Sequence, residues 1–199
     1  MLRWPILALL AILLPLQPPA PADGPTYTAD GQLKYPTGYP EWIFLGTGLD
    51  MSYNPAATMA MDSMFNSVFV NPSAYKAFKQ TGHWPEGTVM VLENRGATGA
   101  ASIDKRGKTE SSELMGLEIH VRDSTRTKEG WAFYALDDPA ARESSGKLIP
   151  RPAACYTCHE QHGAVDTTFA QFYPFALEIA KQKATLSPAY LKESSTAAK

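Results

Sequence analysis

Leu117-Glu118-Ile119-His120-Val121 and, after a polar turn, Trp131-Ala132-Phe133-Tyr134-Ala135-Leu136 decide the fold. The first run alternates apolar and polar residues with a period of two, the repeat of a strand and not of a helix. The second is short, aromatic and bounded by turn residues, as a buried strand is. Working upstream, Thr88-Val89-Met90-Val91-Leu92-Glu93 follows the turn-like Pro85-Glu86-Gly87 and reads as a third strand. Phe65-Asn66-Ser67-Val68-Phe69-Val70, stopped by Asn71-Pro72, and Glu41-Trp42-Ile43-Phe44-Leu45, stopped by glycines, complete a set of five. One short helix is expected over Ser73 to Gln80, with Asn71 or Ser73 as cap and Gly82 as stop. Residues 95–113 are polar and glycine-bearing and read as a long hairpin loop. The predicted class is α+β, a mainly antiparallel sheet with a few helices.

Downstream lies Cys155-Tyr156-Thr157-Cys158-His159. Cys-x-x-Cys-His is the spacing that attaches a c-type haem: each thiol adds to a vinyl group, and the adjacent histidine becomes the proximal ligand of the iron. Cys155, Cys158 and His159 are therefore the expected binding residues, for one covalently bound haem c. The competing readings are a redox dithiol and a zinc site. A thioredoxin-like dithiol belongs near the start of a βαβ unit, whereas this pair lies in the last quarter of the chain. A structural zinc needs four ligands, and only His83, His120 and His162 remain to complete it. Thr167 to Lys183, with Phe169, Phe172, Tyr173, Leu177 and Ala180 at three- and four-residue steps, is expected to be a C-terminal helix next to the haem, bent or broken at Pro174.

Residues 1–22 read as a secretory signal: Arg3 supplies the positive region, Ile6 to Leu16 the apolar one, and Ala20-Pro21-Ala22 the cleavage site. The apolar run is short and broken by prolines, so no membrane anchor is expected after cleavage. Export and haem attachment agree on the bacterial periplasm. The 199 residues less the first 22 leave 177, one domain's worth. Losing Arg3 takes Lys plus Arg from 18 to 17 against 20 acidic residues, a net charge of about −3 that gives no reason to expect nucleic acid as a partner. Residues 23–40 are expected to form an extended arm, residues 41–188 the haem domain, and residues 189–199 a polar, frayed tail.

The chain also resembles the cytochrome P-460 family, which includes the cytochromes c′-beta. Tyr35-Pro36-Thr37-Gly38-Tyr39 with Glu41-Trp42, then Asn71-Pro72-Ser73-Ala74-Tyr75, Thr81-Gly82-His83-Trp84-Pro85 and Gly87-Thr88-Val89 carry the likeness. Trp131-Ala132-Phe133-Tyr134, the Cys155 to His159 motif, Phe169 and Phe172-Tyr173-Pro174 follow in the family's order and spacing. The resemblance implies a mainly antiparallel fold and a five-coordinate haem open on its distal side. It also implies one of two chemistries. Members of the P-460 kind oxidise hydroxylamine and bond a lysine to the haem ring, whereas the c′-beta kind lack that bond, cap the distal face with phenylalanines and bind nitric oxide. The cross-linking position falls on Leu92, which speaks against hydroxylamine oxidation. Lys105 and Lys108 are the nearest substitutes, both in the polar loop and read as surface charge.

Phe44, Phe65 and Phe69 are candidates for an apolar distal cap, with core packing as the equal alternative. Glu118 or Glu93 could serve as a distal base, though such residues more often face solvent. Met51, Met59, Met61 and Met64 lie together and offer a sixth ligand, though gap-filling is the favoured reading. His120 is expected to face away from the core, His83 to sit in a turn, and His162 to be surface or outer support. The leading reading is a periplasmic mono-haem cytochrome that binds nitric oxide or a related small nitrogen compound and cycles redox state with an unidentified partner. The alternatives are a hydroxylamine or nitric oxide oxidoreductase and a six-coordinate electron carrier with a methionine ligand. The resemblance adds a homodimer as an option.

Overall fold

The computed structural model describes residues 22–53, 63–99, 102–128, 130–136, 145–151 and 153–197. The expected signal segment, except Ala22, lies outside them, as do Met59 and Met61. Alternation in Leu117 to Val121 does produce a strand, and its neighbours pair with it in order. The strands are β1 (Leu33–Lys34), β2 (Ile43–Leu49), β3 (Met64–Val70), β4 (Val89–Thr98), β5 (Thr109–Arg122), β6 (Trp131–Leu136) and β7 (Ser145–Leu148). They form one antiparallel sheet in the order β1-β7-β6-β5-β4-β3-β2, a meander closed at one edge by the N-terminal arm. The helices are α1 (Pro72–Thr81), α2 (Ala154–His162), α3 (Pro174–Lys183) and α4 (Pro188–Ala197). The architecture is α+β and mainly β, as the strand pattern predicts. Among the described residues no helix is long and apolar enough to cross a membrane.

Both faces of the sheet are covered. On one, Val89, Val91, Leu117, Ile119, Val121, Ala132, Tyr134 and Leu136 pack beneath Leu33 and Tyr39. The expected extended arm is thus a lid: Leu33 and Tyr39 are nearly inaccessible, and β1 pairs with β7. On the other face, Val68, Val70, Met90 and Trp131 meet Ala74 and Phe78 of α1 and Ala176 and Ala180 of α3. The small residues on α3 let it lie close to the sheet. At Gly46 of β2, a Cβ would meet the Phe172 carbonyl oxygen at 2.9 Å, so only glycine fits there.

Two expectations change and a third holds. The loop placed at residues 95–113 is mostly strand: β4 runs to Thr98 and β5 starts at Thr109, with register shifts near Arg95. That hairpin projects beyond the core, so its sequence lacks apolar alternation and pairs through the backbone. The helix expected from Thr167 is broken at Pro174: a 3-10 turn over Ala170–Phe172 precedes it, and Pro174 begins α3, where its missing N–H costs nothing. The polar tail is the helix α4, held by Tyr190 against the core and by Glu193 paired with His162 at 3.0 Å.

Gly82 ends α1 with φ +76, and a Cβ there would lie 2.6 Å from the Cβ of Lys183. Replacing Gly82 by Ala should therefore cost about 2 kcal/mol, from the left-handed backbone and the clash with the end of α3. Urea denaturation followed by circular dichroism reads this as a lowered midpoint with unchanged slope; an unchanged midpoint would refute the packing described.

Candidate functional site

The pentapeptide at 155–159 lies within α2, so Cys155, Cys158 and His159 share a helix face at steps of three and four. Tyr156 turns inward and anchors that helix to the sheet. Its hydroxyl donates to the Ile149 carbonyl at 2.8 Å, its ring meets Phe133 edge-on at 5.0 Å, and the Arg151 guanidinium covers it at 4.2 Å. Both cysteines are half-buried free thiols, and burial pushes the Cys158 thiol pKa up.

His159 is held on every side. Its Nδ1 is 2.7 Å from the Thr167 carbonyl oxygen, which can only accept, so Nδ1 carries the hydrogen and Nε2 keeps the lone pair. Phe169, Phe133 and His120 surround the ring at centroid distances of 4.0, 4.7 and 4.9 Å. Burial pushes the His159 pKa down to about 4, partly offset by the Thr167 carbonyl. The imidazole is therefore neutral at pH 7, the form that binds metals.

Thr167 reaches that position through a costly turn. Asp166 and Thr167 have φ +46 and +59, and Thr168 N–H donates back to Val165 at 2.7 Å. Two consecutive positive φ values are the pattern of a type I′ turn, normally built from Asn and Gly; a β-branched residue there costs about 1–3 kcal/mol. The loop after α1 holds it. The Asp166 carboxylate accepts from Trp84 N–H at 2.8 Å and pairs with His83 at 3.0 Å and Arg122 at 3.6 Å. The Trp84 indole stacks on Phe78 at 3.9 Å and donates to the Thr168 hydroxyl at 3.0 Å.

His159 opens onto a cavity of about 310 Å³ between the sheet and the C-terminal segments. Cross-strand register orders the sheet side into rows. Beside His159 stands the row Met90, His120 and Phe133; next comes Val68, Leu92 and Glu118; then Asn66 and Asn94. Rows two residues apart along a strand are about 7 Å apart. Thr47, Gly48, Met51 and Tyr53 line the β2 side, and Phe169, Phe172 and Tyr173 the helical side.

Of the sequence candidates, Leu92 and Glu118 line this cavity, as do Met51 and Met64. Phe44, Phe65 and Phe69 do not: the pleat sends Phe65 and Phe69 to the opposite face with Val91, where Phe69 meets Tyr39 and Phe44 at 5.7 Å each. Glu93 follows them, paired with Arg95 at 2.6 Å and accepting from the Tyr39 hydroxyl. Lys105 is exposed in the hairpin turn and does not line the cavity. Phe169 and Phe172 supply the aromatic wall instead, a role the periodic C-terminal pattern hinted at.

His120 corrects a second expectation. It faces the cavity and is buried, because Phe133, Trp131 and His159 pack around its ring, whereas Glu118, two residues earlier on the same face, stays exposed. It stacks on Phe133 at 4.0 Å and packs at a tilt against Trp131 at 4.3 Å, and burial holds its pKa well below the usual histidine range. Two imidazoles on opposite sides of one metal, each nitrogen about 2 Å from it, keep their ring centres about 6 Å apart. At 4.9 Å, His120 and His159 are too close for that, so His120 is a wall of the site and not a second axial ligand.

Among the described residues no three of the His, Cys, Asp and Glu side chains gather to hold a metal ion, and His83 and His162 are paired to carboxylates elsewhere. The residues do suit a haem: two thiols and a neutral imidazole share a helix face, and the imidazole meets a largely apolar cavity. Two buried polar atoms at that cavity, His120 Nε2 and Asn66 Oδ1, have no hydrogen-bond partner among the described residues. Such orphans are what a bound group or water satisfies.

The family model described as Cytochrome P460 matches residues 36–170, more than half of the chain, from the end of the arm to the turn before α3. No curated protein matches the chain.

Filling the cavity should impair cofactor loading. Leu92→Trp is expected to lower haem content per chain severalfold, while Leu148→Trp, on the exposed end of β7, leaves it unchanged. Haem absorbance after alkaline pyridine treatment, against protein mass, measures both; equal loading would show that the cavity is not where haem sits.

Proposed function

Because the chain belongs to the cytochrome P460 family, and so is a haem-binding cytochrome, we propose that it is a mono-haem c-type member of the gas-binding kind. Cys155 and Cys158 hold the haem covalently, and His159 is the proximal ligand. The other side of the iron is open to nitric oxide or a related small nitrogen compound. Export by residues 1–22 places the mature chain in the periplasm, where an unidentified donor or acceptor cycles its redox state. The carrying observation is His159 itself, neutral and oriented by the Thr167 carbonyl at the edge of the cavity.

Bound haem supplies an iron that changes oxidation state and takes a small ligand. The protein's own groups do the rest. Thr167 orients the imidazole, Phe169 and Phe133 exclude water around it, and Tyr156 fixes the helix that carries the thiols. The row of Leu92 and Glu118, about 7 Å along the strand from His120, is the wall that a ligand on the open side would meet. Leu92 offers no amine to bond the ring, which favours ligand binding over hydroxylamine oxidation.

One observation favours the enzyme reading. Glu118 lines the cavity, where a carboxylate could take a proton from a bound hydroxylamine. Met51, Met64 and Met90 line it too, so a thioether sixth ligand is the third arrangement to be separated.

One experiment separates all three. The protein, expressed with haem c maturation, is reduced and its optical spectrum recorded with and without nitric oxide. We expect a five-coordinate ferrous spectrum with an ordinary c-type Soret band that shifts on adding nitric oxide. A strongly red-shifted ferrous Soret band would reveal a lysine bond and point to hydroxylamine; sharp low-spin bands indifferent to nitric oxide would leave electron transfer. The covalent link has its own test: Cys155→Ala together with Cys158→Ala should let acidified organic solvent extract the haem, and haem that stays with the denatured chain would refute thioether attachment.

A further inference from the structure

We propose that Asp166 is a positioning residue for the proximal ligand, acting through the turn Val165 to Thr168. The inference rests on the reading of His159 as that ligand. The carbonyl that fixes His159 belongs to Thr167, a β-branched residue at φ +59 directly after Asp166 at φ +46. Free of other restraint, such a turn relaxes to negative φ, and its carbonyl swings away.

The restraint comes from more than eighty residues upstream. His83, the Trp84 backbone N–H and the Trp84 indole bond to Asp166, Asp166 and Thr168 respectively. Arg122 at the end of β5 adds a charge at 3.6 Å from the Asp166 carboxylate. The clamp is rooted in the core, since Trp84 is nearly inaccessible and stacked on Phe78. Thr81-Gly82-His83-Trp84-Pro85, which no ligand contact accounts for, thereby gains a role: its central pair holds the outside of the turn whose inside holds the iron's ligand. A firm hydrogen bond from Nδ1–H to a carbonyl makes the imidazole a stronger electron donor, so the clamp sets the strength of the iron–histidine bond and favours the ferric state.

The test compares haem-loaded wild type with Asp166→Ala and Asp166→Asn by resonance Raman spectroscopy of the ferrous form and by the midpoint potential. Asp166→Ala is expected to move the iron–histidine stretch to lower frequency and to raise the potential. Asp166→Asn keeps an acceptor for Trp84 but loses the charge facing His83 and Arg122, so it should shift both in the same direction by less. A stretch and potential equal to wild type in Asp166→Ala, even with lowered thermal stability, would overturn the proposal, because the aspartate would then serve only the fold. If Asp166→Ala fails to fold, Asp166→Asn carries the test alone, since it keeps an acceptor for the Trp84 N–H and deletes the charge facing His83 and Arg122. A downshift supports the proposal and an unmoved stretch overturns it. His159→Ala separates the two layers. Loss of the histidine-ligated spectrum in that variant leaves Asp166 as the only claim at risk, whereas unchanged ligation would sink both.

Discussion

The constraint on which the structure depends is the two-residue pleat of β4 and β5. In register, Val89, Val91, Leu117, Ile119 and Val121 go to one face, and Met90, Leu92, Glu118 and His120 to the other. A slip of one residue would put the valines into the cavity and Glu118 and His120 into a dry core, a cost of several kcal/mol for the unpaired polar groups alone. Register here is thus set by burial of the valine face and of Met90 and His120 on the other, and the site inherits its geometry from it. The arm and the helices are the two covers this demands.

The helical cover is not uniform. Where α1 and α3 pack, the sheet is sealed by Phe78, Trp84 and small residues. Where α2 packs, it leaves a cavity, because Tyr156 and the turn at 165–168 hold His159 at its edge and do not fill it. That turn carries two positive φ values without glycine, strain of the sort that persists only when surrounding contacts over-determine it. Strength at the clamp and openness at the cavity are therefore two sides of the same packing.

Much of this was legible in the chain. Period-two alternation and turn residues located the five core strands, and Asn71-Pro72 and Gly82 bracketed α1 within a residue or two. The Cys-x-x-Cys-His spacing identified the thiols and His159 as a unit, which the helix of α2 presents on one face. Face assignment was not legible, because alternation says that neighbours point apart without saying which direction is wet. Alternation alone therefore points His120 away from the core, and it leaves Phe65 and Phe69 open between a distal cap and core packing, of which the structure has the second for Phe69. The partner of His159 was invisible because it is a backbone carbonyl, to which any residue type contributes alike. β1, β7 and α4 were missed since their stability comes from pairing and docking and not from their own weak patterns.

The proposed iron carries one imidazole and is open on the opposite side, and electron paramagnetic resonance of the ferric, haem-loaded protein addresses this most directly. With His159 as sole protein axial ligand, the spectrum should be the axial high-spin signal of five-coordinate ferric haem, collapsing to a low-spin signal when an added strong-field ligand binds. A purely low-spin spectrum before any addition, unchanged by the added ligand, would mean that a side chain such as Met51, Met64 or Met90 already occupies the sixth position, and would contradict it.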